Sequence, residues 1–266
     1  MVCVLGDAHL DVIARVSGPL APDTDTPAST AVVVGGQAAN VAAWVAALGG
    51  GARLIAARGT DLGADLVASE LQRRGVELVG PVLAGNAGVV ISLSDGGTRR
   101  SMVTDRGVGP QLSAAAFRPD WLAGVDWLHL PAYSLTADPV RGAALAAAAA
   151  AAARAVPVSI DLSSTAAIRA FGEGEFRALL GRLRPAVVFG TAEEAALVTG
   201  VLDARLVVKL GPDGVLIDGR QYPARPTEPV DSTGAGDAFA AGYLMGGIEL
   251  GLTAAARAVA QMGAMP

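Results

Sequence analysis

The chain has 266 residues, 52% of them hydrophobic and 17% charged, with a formal net charge of −5. That composition excludes a disordered chain, and with no basic run interleaved with aromatics it argues against nucleic-acid binding. Cys3 is the only cysteine, which excludes an internal disulfide and suits a reducing cytoplasm.

The run from Met1 to Asp7 has no basic region before its short apolar stretch and reads as a first strand rather than a signal peptide, with Cys3 packed inside it. Strand-like segments follow at about 10–17 and 29–34, and a second pair at 87–93 and 98–104; Gly, Pro and Asp turns separate their members, with no helix between them. A helical run extends from Asn40 to Gly49. Strand-like 52–57 then precedes a helix over 61–73, and strand-like 125–130 a helix over 136–155. Strand-like 156–160 follows, then 185–189 with a helix over 191–199, and a strand over 206–210. This alternation implies βαβ units and a mostly parallel sheet with helices on both faces. Ligands of such sheets gather at the carboxyl ends of the strands.

The alanine tract over 143–153 falls well short of the roughly twenty apolar residues of a membrane span, and Arg141 and Arg154 bracket it. Leu145 is its only large side chain, so the helix is expected to pack closely on the sheet.

The most informative segment is Val230-Asp231-Ser232-Thr233-Gly234-Ala235-Gly236-Asp237-Ala238-Phe239, small residues ending in a carboxylate before an apolar helical run. Gly234, Ala235 and Gly236 let backbone amides approach an anion at a helix start, where unpaired N–H groups and the dipole favour negative charge. Helix capping accounts for Asp231, Ser232 and Thr233. It does not account for Gly-Ala-Gly, because each glycine costs about 1 kcal/mol relative to alanine in a helix. Asp237, beside that anion, is placed to take a proton from an attacking hydroxyl.

This segment resembles the C-terminal signature of the ribokinase-like (PfkB) carbohydrate kinases, and Gly35-Gly36-Gln37-Ala38-Ala39-Asn40 resembles their N-terminal one. Gly59-Thr60-Asp61-Leu62-Gly63, Leu71 and Gly75-Val76 are similar to the family's Gly-x-Asp-x-x-Gly helix and its exit. Leu210-Gly211-Pro212-Asp213-Gly214-Val215 is similar to the hairpin before the catalytic segment. The resemblance covers essentially the whole chain. It implies one α/β domain over 1–266: a ribokinase-like, doubly wound, mostly parallel sheet flanked by helices. The paired strands would form a small β-sheet lid over the sugar, and in many members that lid also joins two subunits into a homodimer.

The resemblance further implies ATP-dependent phosphoryl transfer to a hydroxyl of a small sugar, with Asp237 as general base, Gly234 to Gly236 as anion hole, and Mg²⁺ bridging the phosphates. Asp11 occupies the position of the sugar-hydroxyl carboxylate, with Asp7 as competitor. Gly35 and Gly36 would permit close backbone approach to the substrate, and Asn40 resembles the amide that binds its hydroxyls. Arg106 lies where a guanidinium would face substrate or phosphate, or equally solvent. Thr191, Lys209, Gly211 and Gly214 fall in the nucleotide-side segments. Lys209 reads equally as a strand-edge lysine. Where the family has Asn-x-x-Glu, this chain has Thr191-Ala192-Glu193-Glu194; Glu194 then serves Mg²⁺ through water, and Thr191 caps its helix. Asp231 and the Thr233 carbonyl match a monovalent-cation site, so dependence on K⁺ is expected. Asp161 and His129, at strand ends on the ligand edge, read equally as satisfied structural groups.

Other phosphoryl-transfer designs fail on residue type. Lys209 is the only lysine and no Gly-x4-Gly-Lys-Ser/Thr occurs, which excludes a P-loop and leaves no protein-kinase set. Gly234-x-Gly236 is not a dinucleotide fingerprint, because Phe239 takes the third small position. Two histidines and one cysteine supply no credible transition-metal ligand set. The acceptor class stays open between sugars and nucleosides; the absence of aromatics between Trp44 and Phe117 favours a sugar. A non-catalytic sugar- or nucleoside-binding relative is the other alternative. Thr191-Ala192 and the end at Met265-Pro266, soon after the helix that would flank adenine, point that way, and the intact Gly234-Ala235-Gly236-Asp237 points to an enzyme. No membrane partner is expected.

Overall fold

A computed structural model describes every residue except 95–99 and 201–202. In chain order the strands are β1 (Val2–Leu5), β2 (His9–Val16), β3 (Ala28–Gly35), β4 (Ala52–Ile55), β5 (Val76–Val79), β6 (Gly88–Ser94), β7 (Arg100–Asp105), β8 (Trp127–Pro131), β9 (Val158–Asp161), β10 (Val187–Thr191), β11 (Arg205–Lys209), β12 (Val215–Ile217) and β13 (Arg220–Tyr222). The helices are α1 (Gln37–Ala47), α2 (Leu62–Arg73), α3 (Val140–Ala152), α4 (Thr165–Phe171), α5 (Glu173–Leu183), α6 (Ala192–Ala196) and α7 (Ala235–Val259).

Nine strands form the large sheet in the order β13-β12-β11-β10-β9-β8-β1-β4-β5. From β11 to β5 every pairing is parallel, and β12 and β13 add an antiparallel edge. Parallel strands covered on both faces read as continuous apolar runs, and β1, Val-Cys-Val-Leu, is buried at all four positions. One face packs beneath α1 and α7 around Trp44, Phe189 and Phe239; the other packs beneath α3 and α5 around Leu128, Ile160 and Phe176. The doubly wound expectation is met.

The small sheet has the order β3-β2-β6-β7, with β2 and β6 parallel and the outer pairings antiparallel. The two strand pairs are therefore one sheet, joined through β2 and β6. Thr98 and Arg99, where the last of these strands is expected to begin, lie outside the described residues.

Alanine does the packing in α3. Ala143, Ala144, Ala147, Ala148 and Ala151 are buried while Leu145 is 36% exposed, so the small side chains face the body of the protein and the one large side chain faces out. The helix is shorter than its alanine-based expectation, beginning at Val140 after Pro139 and ending before Ala155, which sits at φ 54°. Helices α4 and α5 have no counterpart in the sequence reading. The helix expected over 191–199 is the five-residue α6, and the strand expected over 206–210 lies one residue earlier.

By length and composition α7 could cross a membrane, yet it is a core helix packed along α1. Its dihedrals leave the helical region at Gly246 and Gly247, which divides it into two rods.

Candidate active site

Gly234, at φ 78°, is the residue before the first turn of α7, and a Cβ there would lie 2.5 Å from the Ala264 carbonyl oxygen. Only glycine fits this left-handed corner packed against the C-terminal tail. Ala235 N donates to Ser232 O at 3.3 Å and Ala238 N donates to Gly234 O at 2.9 Å, so Gly236 and Asp237 are the first-turn residues whose amides have no intrahelical partner. Asp231 fixes the approach: its Oδ1 accepts from Thr233 N at 2.9 Å and Thr233 Oγ1 at 2.6 Å, and its Oδ2 accepts from Gly263 N at 3.2 Å.

Asp237 stands in that first turn, and Asn40 Nδ2 donates to its Oδ2 at 2.8 Å. Asn40 is 7% exposed in a helix whose positions 38–45 are all buried, so its amide needs a partner and finds one in the carboxylate. Burial pushes the Asp237 carboxyl up to about 7; the Asn40 hydrogen bond opposes this, Asp161 adds to it, and Lys209 and Gln37 hold it back. A carboxyl near neutrality is suited to act as a base at physiological pH.

The N-terminal motif forms the facing wall. Gly36 has φ 103°, and a Cβ on it would lie 2.5 Å from Asp7 O, so the turn into α1 demands glycine. The Asp11 carboxylate covers the Cα of Gly35 and lies 3.1 Å from His9 Nδ1. Arg106 spans from the small sheet to the large one: its Nε donates to Asp7 Oδ2 at 2.7 Å, Nη2 donates to the same oxygen, and its Cζ lies 5.6 Å from the Tyr133 ring centroid. Arg106 is thus held by Asp7 rather than extended freely into solvent. Asp7, the competitor to Asp11, keeps a buried Oδ1 to which no described residue donates.

On the other side of Asp237, Lys209 Nζ donates to Asp161 Oδ2 at 2.8 Å, with the Asp161 side chain fully buried. His129 Nδ1 is 2.9 Å from Ser159 Oγ, and burial pushes this histidine down to about 4, so it is a neutral core group near neutral pH. Thr191 caps α6 in a reciprocal box: Glu194 N donates to Thr191 Oγ1 at 3.3 Å and Thr191 N donates to Glu194 Oε2 at 2.8 Å. Gly211 and Gly214 stand apart in the β11–β12 connection; Gly214, at φ 91°, lies against the Tyr222 carbonyl and shapes the hairpin.

The structure therefore joins Asn40, Gln37, Asp237, Gly236, Lys209 and Asp161 at one edge, beside Asp7, Asp11, Gly35, Gly36 and Arg106. Neither Gln37 nor Tyr133 is among the site residues expected from the sequence. Gln37 lies inside the motif Gly35 to Asn40 and was legible there; Tyr133 arrives from the end of β8, with no local signal.

A carboxylate in the first turn of α7, hydrogen-bonded to the N-terminal motif's asparagine, unites the two halves of one signature. The sequence profile described as pfkB family carbohydrate kinase matches residues 1–265. The chain belongs to the pfkB family of carbohydrate kinases.

Among its relatives, this carbohydrate kinase is 28% identical over 279 residues to a fructokinase of Escherichia coli, covering 95% of this chain and 86% of that one. It is 32% identical over 258 residues to an ATP-dependent ribose-1-phosphate kinase of Halopiger xanaduensis, covering 92% and 84%. In fold it is similar to a putative ribokinase II from E. coli solved with ATP and Mg²⁺ (TM-score 0.86, 20% identity, 99% and 94% covered). A similar likeness extends to the adenosine kinase of Sinorhizobium meliloti (TM-score 0.85, 24% identity, 100% and 95% covered).

Proposed function

We propose that this kinase transfers the γ-phosphoryl group of MgATP to a hydroxyl of a small sugar or sugar derivative, with Asp237 as general base. The observation that carries the reading is the 2.8 Å contact between Asn40 and Asp237, which puts the substrate motif against a carboxyl titrating near 7 at an anion-binding helix start. The acceptor hydroxyl gives its proton to Asp237 as its oxygen attacks phosphorus in line. The turn Gly234-Ala235-Gly236, whose Ala235 amide is taken by Ser232, would offer the amides of Gly236 and Asp237 to the negative charge carried by the transferred group.

Asp11, Gly35, Gly36, Asn40 and Arg106 form the sugar side in this reading. Asp7 joins them through its unsatisfied oxygen, an acceptor for a sugar hydroxyl. The small sheet would act as a lid that excludes water from the transfer, and the chain as one domain that also forms a homodimer through that sheet in the cytoplasm. Val32, Ile91, Met102 and Val103 are exposed on it, which supports the homodimer.

On the nucleotide side lie Thr191, Gly211 and Gly214. A cleft of about 460 Å³ between the loop after β13 and the second rod of α7, lined by Arg225, Thr227, Thr253, Ala256, Arg257 and Ala260, offers room for the base. Among the described residues no group of three or more His, Cys, Asp or Glu side chains could hold a metal by itself. That donor set fits an ion delivered on ATP phosphates, where Mg²⁺ neutralises charge and Glu194 would meet it through water. Asp231 and the Thr233 carbonyl would hold K⁺ as an addition to a loop already organised by Thr233 and Gly263.

A nucleoside acceptor is the second reading, favoured by Tyr133, 38% exposed beside Arg106, as a surface for a base. The test is a coupled ADP-release assay with MgATP and KCl against D-fructose, other sugars, sugar phosphates, sugar acids and nucleosides, with Asp237→Asn as blank. Sugar-dependent turnover that disappears in the variant supports the proposal. Turnover only with nucleosides selects the second reading, and no turnover across the panel removes both.

A further inference from the structure

Lys209 is the last residue of β11 and lies on the ligand edge of the large sheet, in register with Thr191 of β10. Its ammonium is aimed by a carboxylate that is itself fixed: Asp161 Oδ2 accepts from Nζ at 2.8 Å, while Asp161 Oδ1 accepts from Ser163 N at 3.0 Å. An ammonium carries three donors, and Asp161 uses one.

The stem of Lys209 runs along the first turn of α7. A Cβ on Gly236 would lie 3.3 Å from Nζ, 3.5 Å from Cδ and 3.8 Å from Cε. Gly236 thus has a second reason to be glycine, since any side chain there would press on the lysine. Burial works against the charge on Lys209, but Asp161, Glu194 and Asp237 outweigh it and hold the group above its ordinary value, so it stays protonated.

Three carboxylates and one ammonium leave an excess of negative charge where a phosphate chain has to bind. Glu194 spends one oxygen on the Thr191 amide, and Asp237 has to be ionised to act as base. A fixed cation at this point opposes the repulsion between those carboxylates and the incoming phosphates.

We propose that Lys209 is a catalytic residue of this kinase: its ammonium, aimed by Asp161 and admitted by the bare Cα of Gly236, contacts the transferred phosphoryl group beside the Gly236 and Asp237 amides. The inference rests on the phosphoryl-transfer reading above. In the step, the bond from acceptor oxygen to phosphorus forms and the bond from phosphorus to the β–γ bridging oxygen breaks. The electron pair leaves with ADP, the acceptor proton passes to Asp237, and Lys209 keeps its protons throughout. The proposal replaces the strand-edge reading of this lysine and differs from a simple nucleotide contact, which would act on KM for MgATP.

Two variants separate this role from a structural ion pair: Lys209→Met alone, and Lys209→Met combined with Asp161→Asn, which removes both charges and keeps an acceptor for Ser163 N. Melting curves, kcat, KM for MgATP, and calorimetric binding of MgADP with and without aluminium fluoride are measured for both and for the wild type. The double variant is expected to melt like the wild type and keep its KM for MgATP within about threefold, while kcat falls by about 10²–10³. MgADP should still bind to it, with aluminium fluoride no longer tightening the complex, and Lys209→Arg should recover part of kcat. A folded double variant that keeps kcat within about threefold, loses only KM, or responds to aluminium fluoride like the wild type overturns the proposal. A wild-type protein that neither binds MgADP nor releases ADP removes the phosphotransferase reading, and this proposal with it.

Discussion

Asn40 and Asp237, separated by 197 positions in sequence, meet at 2.8 Å between the first turns of α1 and α7. The contact fixes the carboxylate and stabilises its ionised form against the burial that opposes it. Asn40→Ala removes that hydrogen bond, so the Asp237 pKa should rise. The acid limb of the kcat/KM profile should move to higher pH, with a higher KM for the acceptor; a limb unmoved from the wild-type position would dissociate Asn40 from the base.

Asp237→Asn should lower kcat by about 10²–10⁴, the usual contribution of general-base catalysis, with little change in MgATP affinity. Wild-type kcat/KM should fall as pH drops below about 7, as the base takes up its proton.

The same carboxyl has a thermodynamic signature of opposite sense. Its folded pKa is raised above the unfolded value, so the folded state holds a proton that the unfolded state has released. The resulting stability is full below about pH 4 and is lost as pH rises towards about 7. Asp237→Asn should therefore melt higher than the wild type at pH 8, by about 2–4 °C for each kcal/mol relieved, and the gap should be clearly smaller at pH 5. Differential scanning calorimetry at the two pH values measures it; His129, whose lowered pKa acts in the other direction at acid pH, is common to both proteins.

Gly36→Ala places a methyl 2.5 Å from the Asp7 carbonyl at a residue with φ 103°. Backbone strain of this kind costs about 1–3 kcal/mol. The variant should lose that much stability in urea unfolding and should raise KM for the acceptor more than for MgATP, because the displaced turn carries Asp7 and Asn40. Equal effects on both substrates would contradict the assignment of this wall to the acceptor.

The exposed apolar side chains of the small sheet lead to an oligomer test. The wild type should sediment as a dimer at micromolar concentration, and Met102→Glu combined with Val103→Lys should give a monomer with an intact melting transition. A wild-type monomer would assign that surface to the lid alone. Potassium is checked separately: activity in KCl should exceed that in choline chloride at equal ionic strength.

The parts of the fold read most directly were those with periodic or conformational signatures. Gly36 and Gly234, read in the sequence as points of close backbone approach, are the two motif positions with left-handed backbone, and the apolar run over Val2–Leu5 was legible as a first strand. Helix α5 escaped because Glu173, Glu175, Arg177 and Arg182 dilute its apolar face to Phe176, Leu179 and Leu180, and the seven-residue α4 buries only Ile168, too little for a periodic signal. The pairing of Arg106 with Asp7 and of Lys209 with Asp161 depends on strands brought together across 99 and 48 positions, which no local window contains.

The one lysine of this chain lies in the proposed phosphoryl site, and apart from two histidines every other basic side chain is arginine. The single ε-amine is 18% exposed, paired with Asp161 and held protonated, so in the folded protein it should be a poor nucleophile towards amine-directed reagents near neutral pH. Modification of that one ε-amine should therefore follow loss of its pairing with Asp161, which makes it a report on the opening of this edge of the sheet without an engineered tag.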